Sequence, residues 1–360
     1  MERQKSIVRR FYNQFKPSFE HDVFGKHKKV LKSFHQNIYP SGSYQQSSKF
    51  YNWLYGSGDY GVYTYCVQEG EVVGHQGSLS ICFNVAGKKL TAAYAFDLHV
   101  DPAWRLKGLA VALTGSLITK HELTIGIGIS DEAKAMYQRI GWVDMGELSY
   151  YLLFLQAKSI PVKAEDSRFR TLLKYVWIAS TVVLLRIENA LQKKIKLTSF
   201  LVFTAAMAEF INRQREMNYS ISQELDYLNW RYDSTKYLKY FLNSDDGEIN
   251  GILIIRDEYF STGMRVWSIC EFVPTIDKSR TLLDGLIQLA LANGVHKIVF
   301  NGLDKNLEAN LRKRHFVRRE YGGRFMFYCE DEEIKQLLQD KKNWVVSGSS
   351  SDMDFYALFH

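Results

Sequence analysis

Phe50-Tyr51-Asn52-Trp53-Leu54-Tyr55 and Tyr227-Leu228-Asn229-Trp230-Arg231-Tyr232 are two versions of one segment, set 177 positions apart in a chain of 360 residues. In the same register, Glu71-Val72-Val73-Gly74 recurs as Glu248-Ile249-Asn250-Gly251. Further on, 131–142 parallels 304–316, with Arg139 over Lys313 and Trp142 over Phe316 at an offset of 174. Three matches in preserved order indicate a tandem duplication. The chain must then fold as two units of one architecture, and its length provides for two hydrophobic cores. At 46% hydrophobic and 24% charged residues, it has an ordinary globular composition.

Apolar periodicity outlines each unit as α/β (α+β), a mixed central sheet flanked by helices, the second unit being degenerate. Each half reads as a helix and a hairpin, turning at Gln68-Glu69-Gly70-Glu71 or Asp245-Asp246-Gly247-Glu248, and then a long strand, a helix, a strand and a final helix with a terminal strand. In the first half the runs 61–67, 72–83 and 90–100 form a meander, 109–118 a helix and 123–129 a central parallel strand. Ser130 or Asp131 caps the next helix, whose apolar positions Ala133, Met136, Tyr137 and Ile140 share a face, and Gly141 ends it before Trp142 starts the return strand. The expected domains are 1–160, a connecting helical apolar segment 161–218, and 219–360. Within the connector, 175–185 and 197–207 are apolar and too short to span a membrane, so both are expected as buried helices or helices between the units. A peripheral membrane contact, aided by Lys193, Lys194 and Lys196, is the alternative.

Between the third strand and the first long helix stands Arg105-Leu106-Lys107-Gly108-Leu109-Ala110. A strand that runs through a glycine turn into a helix points unpaired backbone N–H groups and the positive end of a helix dipole at one place, which suits a phosphate. The spacing Arg-x-x-Gly-x-Ala resembles the acyl-CoA pyrophosphate loop of the GNAT superfamily of N-acetyltransferases. The ending Tyr137-x-x-x-Gly141-Trp142 resembles that family's Tyr-x-x-x-Gly-Phe, and 60–155 looks like a complete core of this kind. In the second half the corresponding stretch is Pro274-Thr275-Ile276-Asp277-Lys278-Ser279-Arg280-Thr281, with no such loop, and Leu311 stands where the first half has Tyr137. One donor site per chain is therefore expected.

The resemblance implies acetyl-CoA, or another acyl-CoA, as co-substrate with no metal, and direct attack of an amine on the thioester in a ternary complex. Backbone N–H groups of Gly108, Leu109 and Ala110, with Arg105 and Lys107, would hold the pyrophosphate. N–H groups of Leu98 or Val100 would polarise the carbonyl, and Tyr137 would donate to the departing thiolate. Strand alternation puts Asp97 and His99 on one face as candidate bases, with His75 on the neighbouring strand a weaker one. The segment 227–232 resembles GNAT-like proteins of surface-polysaccharide biosynthesis, so a small amine, an amino sugar or a nucleotide-linked amino sugar is the expected acceptor. Trp230, Arg231 and Glu271, which aligns with Asp97, are the candidate acceptor contacts. The alternatives are aminoacyl or peptide transfer, long-chain acyl transfer, and a CoA-binding module without turnover.

A net charge of +7 suits an anionic partner, yet no long basic tract or interleaved aromatic-basic motif points to nucleic acid. Cys66, Cys82, Cys270 and Cys329 are far apart and lack zinc spacing, and the charged start Met1-Glu2-Arg3-Gln4-Lys5 leads into no secretory core. A reduced, cytoplasmic setting is the expectation.

Overall fold

The computed structural model describes residues 2–56, 59–157, 168–244, 246–319, 323–350, 354–355 and 358. In chain order these form α1 (Glu2–Phe15), β1 (Phe19–Glu20), α2 (Lys28–Ile38), α3 (Ser48–Tyr55), β2 (Gly61–Gln68), β3 (Glu71–Val85), β4 (Lys88–Val100), α4 (Leu109–Ile118), β5 (Leu123–Ile127), α5 (Asp131–Arg139), β6 (Val143–Glu147) and β7 (Ser149–Phe154). There follow α6 (Arg168–Leu191), β8 (Thr198–Ser199), α7 (Ala205–Gln214), β9 (Tyr219–Ile221), α8 (Leu225–Arg231), β10 (Tyr237–Asn243), β11 (Ile249–Tyr259) and β12 (Arg265–Pro274). Then come α9 (Ser279–Ala292), β13 (Lys297–Leu303), α10 (Lys305–Lys313), β14 (Val317–Arg319), β15 (Arg324–Cys329), α11 (Glu332–Leu338) and β16 (Val346–Ser347).

Local chemistry sets most of these limits. The Ser130 side chain accepts from the Ala133 N–H, Asp131 and Glu132 fill the first turn of α5, and Gly141 at φ +96° ends it, as the sequence predicts. In the turn after β10, Gly247 takes φ +88°, while Asp245 of that turn lies outside the described residues. Helix α4 is apolar on every side and nearly all buried, because the sheet covers one face and α1 the other. Gly115 permits that approach, since a Cβ there would meet Val8 and Tyr12 of α1 at 3.1 and 3.4 Å.

Two mixed eight-stranded sheets result. The first has the order β1-β2-β3-β4-β5-β15-β6, with β9 continuing the edge of β3 beyond β2. The second has the order β14-β7-β13-β12-β11-β10-β8, with β16 on β13. Among the described strand pairs β4–β5 and β12–β13 run parallel and the rest antiparallel, so the two sheets share one pattern. Their last strands are exchanged: β15 of the second half lies between β5 and β6, and β7 of the first half lies between β13 and β14. Residues 60–155 are therefore not a complete core, which corrects the expectation. One residue, Leu148, separates β6 from β7, too few for a hairpin turn, so β7 cannot fold back onto β6 and continues into the other sheet.

Trp53 and Trp230, equivalent in the repeat, stack on each other with ring centres 4.7 Å apart and planes 7° apart. The indole N–H of Trp230 donates to the Trp53 carbonyl at 3.2 Å. Around them one core draws on both halves, from Phe50 and Phe83 to Tyr227, Phe325, Trp344 and Phe355.

The connector departs from expectation twice; its first seven residues, 161–167, lie outside the described set. Stretch 175–185 belongs to a longer helix, α6, that buries Ile178, Val182 and Leu185 but leaves its other face exposed. Stretch 197–207 is not a helix: Thr198 and Ser199 pair with β10, and the Thr204 side chain caps α7 only at its end.

Candidate functional site

Strands β4 and β5 pair over 92–95 with 123–126 and then part, β4 running on to Val100 while β5 stops at Ile127. Just past the last paired residue, Asp97 and Leu98 together oppose Gln76 of β3, a β-bulge in which Asp97 takes φ +50°. A parted, bulged strand leaves backbone groups at Asp97 and Leu98 outside the ladder.

Beyond Val100, Asp101 caps a short turn at Pro102–Trp104 and the chain reaches Gly108, at φ +87°, as the N-cap of α4. No side chain caps this helix, so its first N–H groups remain available to an anion. Gly108 is needed twice, for its backbone angle and because a Cβ would lie 2.1 Å from the Phe11 ring of α1. Arg105, Leu106 and Lys107 are exposed; the Arg105 Nε donates to the Val100 carbonyl at 3.3 Å, and the Lys107 ammonium lies 4.5 Å from the centre of the Trp104 ring. In the second sheet the equivalent helix, α9, begins after Lys278, whose ammonium pairs with the Asp277 carboxylate at 3.0 Å, and no glycine turn precedes it.

Tyr137 of α5 is buried, its ring 4.3 Å from that of Trp142. Burial pushes its phenol up to about 12, while the facing Thr114 hydroxyl and Gln76 amide pull the other way. Gln76 and Thr114 are themselves buried, and neither the Gln76 amide atoms nor the Thr114 hydroxyl completes a hydrogen bond among the described residues. Three polar side chains thus converge beneath the bulge of β4, two of them missed by the sequence reading. No sequence signal singled them out, because β3 also carries His75, Ser78, Ser80 and Asn84.

Asp97 and His99 both turn toward the segment 34–45, as alternation predicts, while Leu98 packs on the α1–α4 side. The Tyr44 hydroxyl and the Gln45 amide donate to Asp97 at 3.1 and 3.0 Å. Burial raises its carboxyl to about 6 against those two hydrogen bonds. Burial also lowers His99, with the nearby Arg105 charge adding to the effect, so the imidazole is neutral at pH 7. His99 lies over His75, ring centres 6.4 Å apart, and His75 heads a buried chain. Its Nε2 lies 3.0 Å from the Tyr39 hydroxyl, its Nδ1 2.6 Å from the Tyr63 hydroxyl, and that hydroxyl is 2.7 Å from His35 Nε2. Burial lowers His75 well below the usual range and His35 to about 4.

The three remaining candidates lie elsewhere, the networks of Glu271 and Arg231 meeting at Tyr232 and Ser349. Glu271 is buried in the second sheet, paired with Arg215 and receiving hydrogen bonds from Gln223 at 2.7 Å and Tyr232 at 2.6 Å. Arg231 is fully buried against Asp354 at 2.6 Å and donates to the Ser349 carbonyl and the Tyr237 hydroxyl. Trp230 stands in the stacked pair at the junction of the two halves. Near Glu271 a bulge at Cys270 repeats that of β4, and beside it a cavity of about 220 Å³ is lined by Tyr150, Arg256, Glu258, Ser268, Cys270 and Asn301.

No protein-family model matches the sequence, and no curated protein matches it either. Among solved structures, a probable N-acyltransferase of unknown function from Enterococcus faecalis V583 is similar at a TM-score of 0.57 and 14% identity, over 86% of this chain and 72% of that one. A GCN5-related N-acetyltransferase from Anabaena variabilis is similar at 0.59 and 13% identity, over 87% and 73%. N-myristoyltransferase from Saccharomyces cerevisiae, solved with myristoyl-CoA, is similar at 0.52 and 15% identity, over 86% and 82%. With its parted and bulged strand, glycine-led helix and paired sheets, the chain has the fold of the GNAT superfamily, the GCN5-related N-acetyltransferases.

Proposed function

We propose that the protein is an acyl-CoA-dependent N-acyltransferase, with acetyl-CoA as donor and a primary amine as acceptor, of which an amino sugar or a nucleotide-linked amino sugar is the favoured kind. One observation carries this reading: the uncapped start of α4 behind Arg105–Gly108 and the bulge of β4 beside Tyr137 lie along one strand-to-helix path. A pyrophosphate at the first and a thioester at the second account for both ends.

In that arrangement the Gly108, Leu109 and Ala110 N–H groups and the charges of Arg105 and Lys107 hold the pyrophosphate. The acceptor nitrogen attacks the thioester carbonyl carbon; the C–N bond forms, the C–S bond breaks, and the N–H groups at Leu98 or Val100 donate to the oxygen as charge gathers on it. Asp97 or His99 takes the proton that the ammonium must lose. Tyr137, protonated across the neutral range, hydrogen-bonds to the thiolate, which takes up the second proton that the nitrogen sheds as the amide forms; Gln76 and Thr114 face the phenol.

Thiol release with acetyl-CoA and a panel of amines, followed spectrophotometrically, tests the activity. Replacement of Gly108 is a poor probe, because Phe11 already fills the space beside it. Arg105→Glu/Lys107→Glu instead alters only exposed side chains and is expected to raise the acetyl-CoA Kd by tenfold or more, on the order of the 1.4 kcal/mol or larger loss typical of charge-assisted phosphate contacts. A parent protein that does not bind acetyl-CoA, or a charge-reversed loop that binds it as tightly, sinks the reading.

A further inference from the structure

Along α6 the exposed apolar residues form one stripe, interrupted by the exposed Ser180. Phe169, Leu172, Val176, Val183, Ile187 and Leu191 recur at intervals of three, four or seven, and each is between 53% and 83% exposed. The opposite face is held by Ile178 and Val182 against Phe154 of β7, and by Leu185 against the second core. At 1.5 Å per residue the helix is roughly 36 Å long, a large apolar face to leave in water.

Its borders have a definite chemistry. At about 100° per residue, Tyr175 and Trp177 fall on either side of Val176, half exposed at the two edges of the stripe. Arg186 is exposed on one flank, and Lys193, Lys194 and Lys196 are exposed just past the helix end. Glu188, the one acid of α6, turns away to Arg314 and His315 at 2.9 and 3.0 Å. Apolar centre, aromatic edges and basic flank together match the acyl, interfacial and headgroup levels of an anionic bilayer. A second copy fits less well, because two such faces would bring basic flanks together with no acid between them. No described helix is long and apolar enough to cross a membrane, so a helix of this kind would lie on the surface.

We infer that the outer face of α6 docks on an anionic lipid surface, seating Phe169, Val176, Val183 and Ile187 at the acyl boundary and the 193–196 lysines among the headgroups. This stands apart from the acyl-transfer reading and can fail without it.

The test is co-sedimentation of the full chain with phosphatidylcholine vesicles, with and without phosphatidylglycerol, at low and high salt. Binding to the anionic vesicles is expected, weakened by salt. Val176→Ser/Val183→Ser/Ile187→Ser should cut the partition coefficient by roughly tenfold or more. Lys193→Glu/Lys194→Glu/Lys196→Glu should abolish the preference for anionic lipid. All six side chains face solvent or lie past the helix end, and an unchanged thermal midpoint establishes that each variant is folded. Absence of binding by the parent at low salt overturns the inference, as does equal binding by the folded serine variant. A dimer in sedimentation velocity that the serine variant dissolves, without vesicle binding by the parent, assigns the face to a second copy instead.

Discussion

Gln76 and Tyr137 come from a strand and a helix 61 positions apart and meet only because β3, β4 and α5 converge beneath the bulge. A phenol held near 12 stays protonated through neutral pH, which suits a donor to a thiolate and not a base. Tyr137→Phe should therefore lower kcat by about tenfold to a hundredfold while the CoA Kd measured by calorimetry stays unchanged. Asp97 titrates near 6, so if it accepts the proton, kcat/KM should rise through pH 6, and Asp97→Asn should remove that limb. The buried histidines act on stability instead. His35 is held at about 4 against 6.5 in the unfolded chain, so its contribution is present above pH 6.5 and is lost as pH falls toward 4. Unfolding free energies from urea titrations at pH 7 and pH 4 should differ by an amount on the order of 3 kcal/mol from this group alone. His35→Gln should flatten the dependence.

Among the elements, α4 is the one that packing controls most tightly. It lies between the sheet and α1, and it carries the candidate phosphate turn at its start. Gly115→Leu would push Val8 and Tyr12 outward, with an expected loss of about 1–3 kcal/mol by denaturant unfolding. The same displacement of α1 should shift Phe11 off Gly108 and weaken CoA binding, a coupling that a mere surface helix would not show. Helix α6 follows the opposite principle: it is anchored by three buried side chains, and its remaining apolar residues face outward. Apolar composition alone reads as burial, and only the packing partners distinguish a core helix from one with a bare face.

For the molecule as a whole, strand exchange makes each sheet depend on the other half. Residues 1–157 alone lack β15, which leaves β5 and β6 without the strand that joins them. That fragment should be largely unfolded by circular dichroism, and co-expression with 158–360 should restore a soluble complex. A single calorimetric transition is expected for the full chain, since the core around Trp344 draws on both halves.

Much of this was legible beforehand, because it is local. The start and end of α5, the limits of α4 and the glycine turn follow from capping, periodicity and backbone freedom within a few residues. The duplication was legible as well, from Trp53 and Trp230 in one register. What the tertiary structure decided was every pairing between distant positions: the exchange of β7 and β15, the Gln76–Thr114–Tyr137 convergence, the networks holding Glu271 and Arg231, and the bare face of α6. Local propensity acts over one turn or one strand, whereas partner choice depends on which surfaces remain unfilled once all the others have packed.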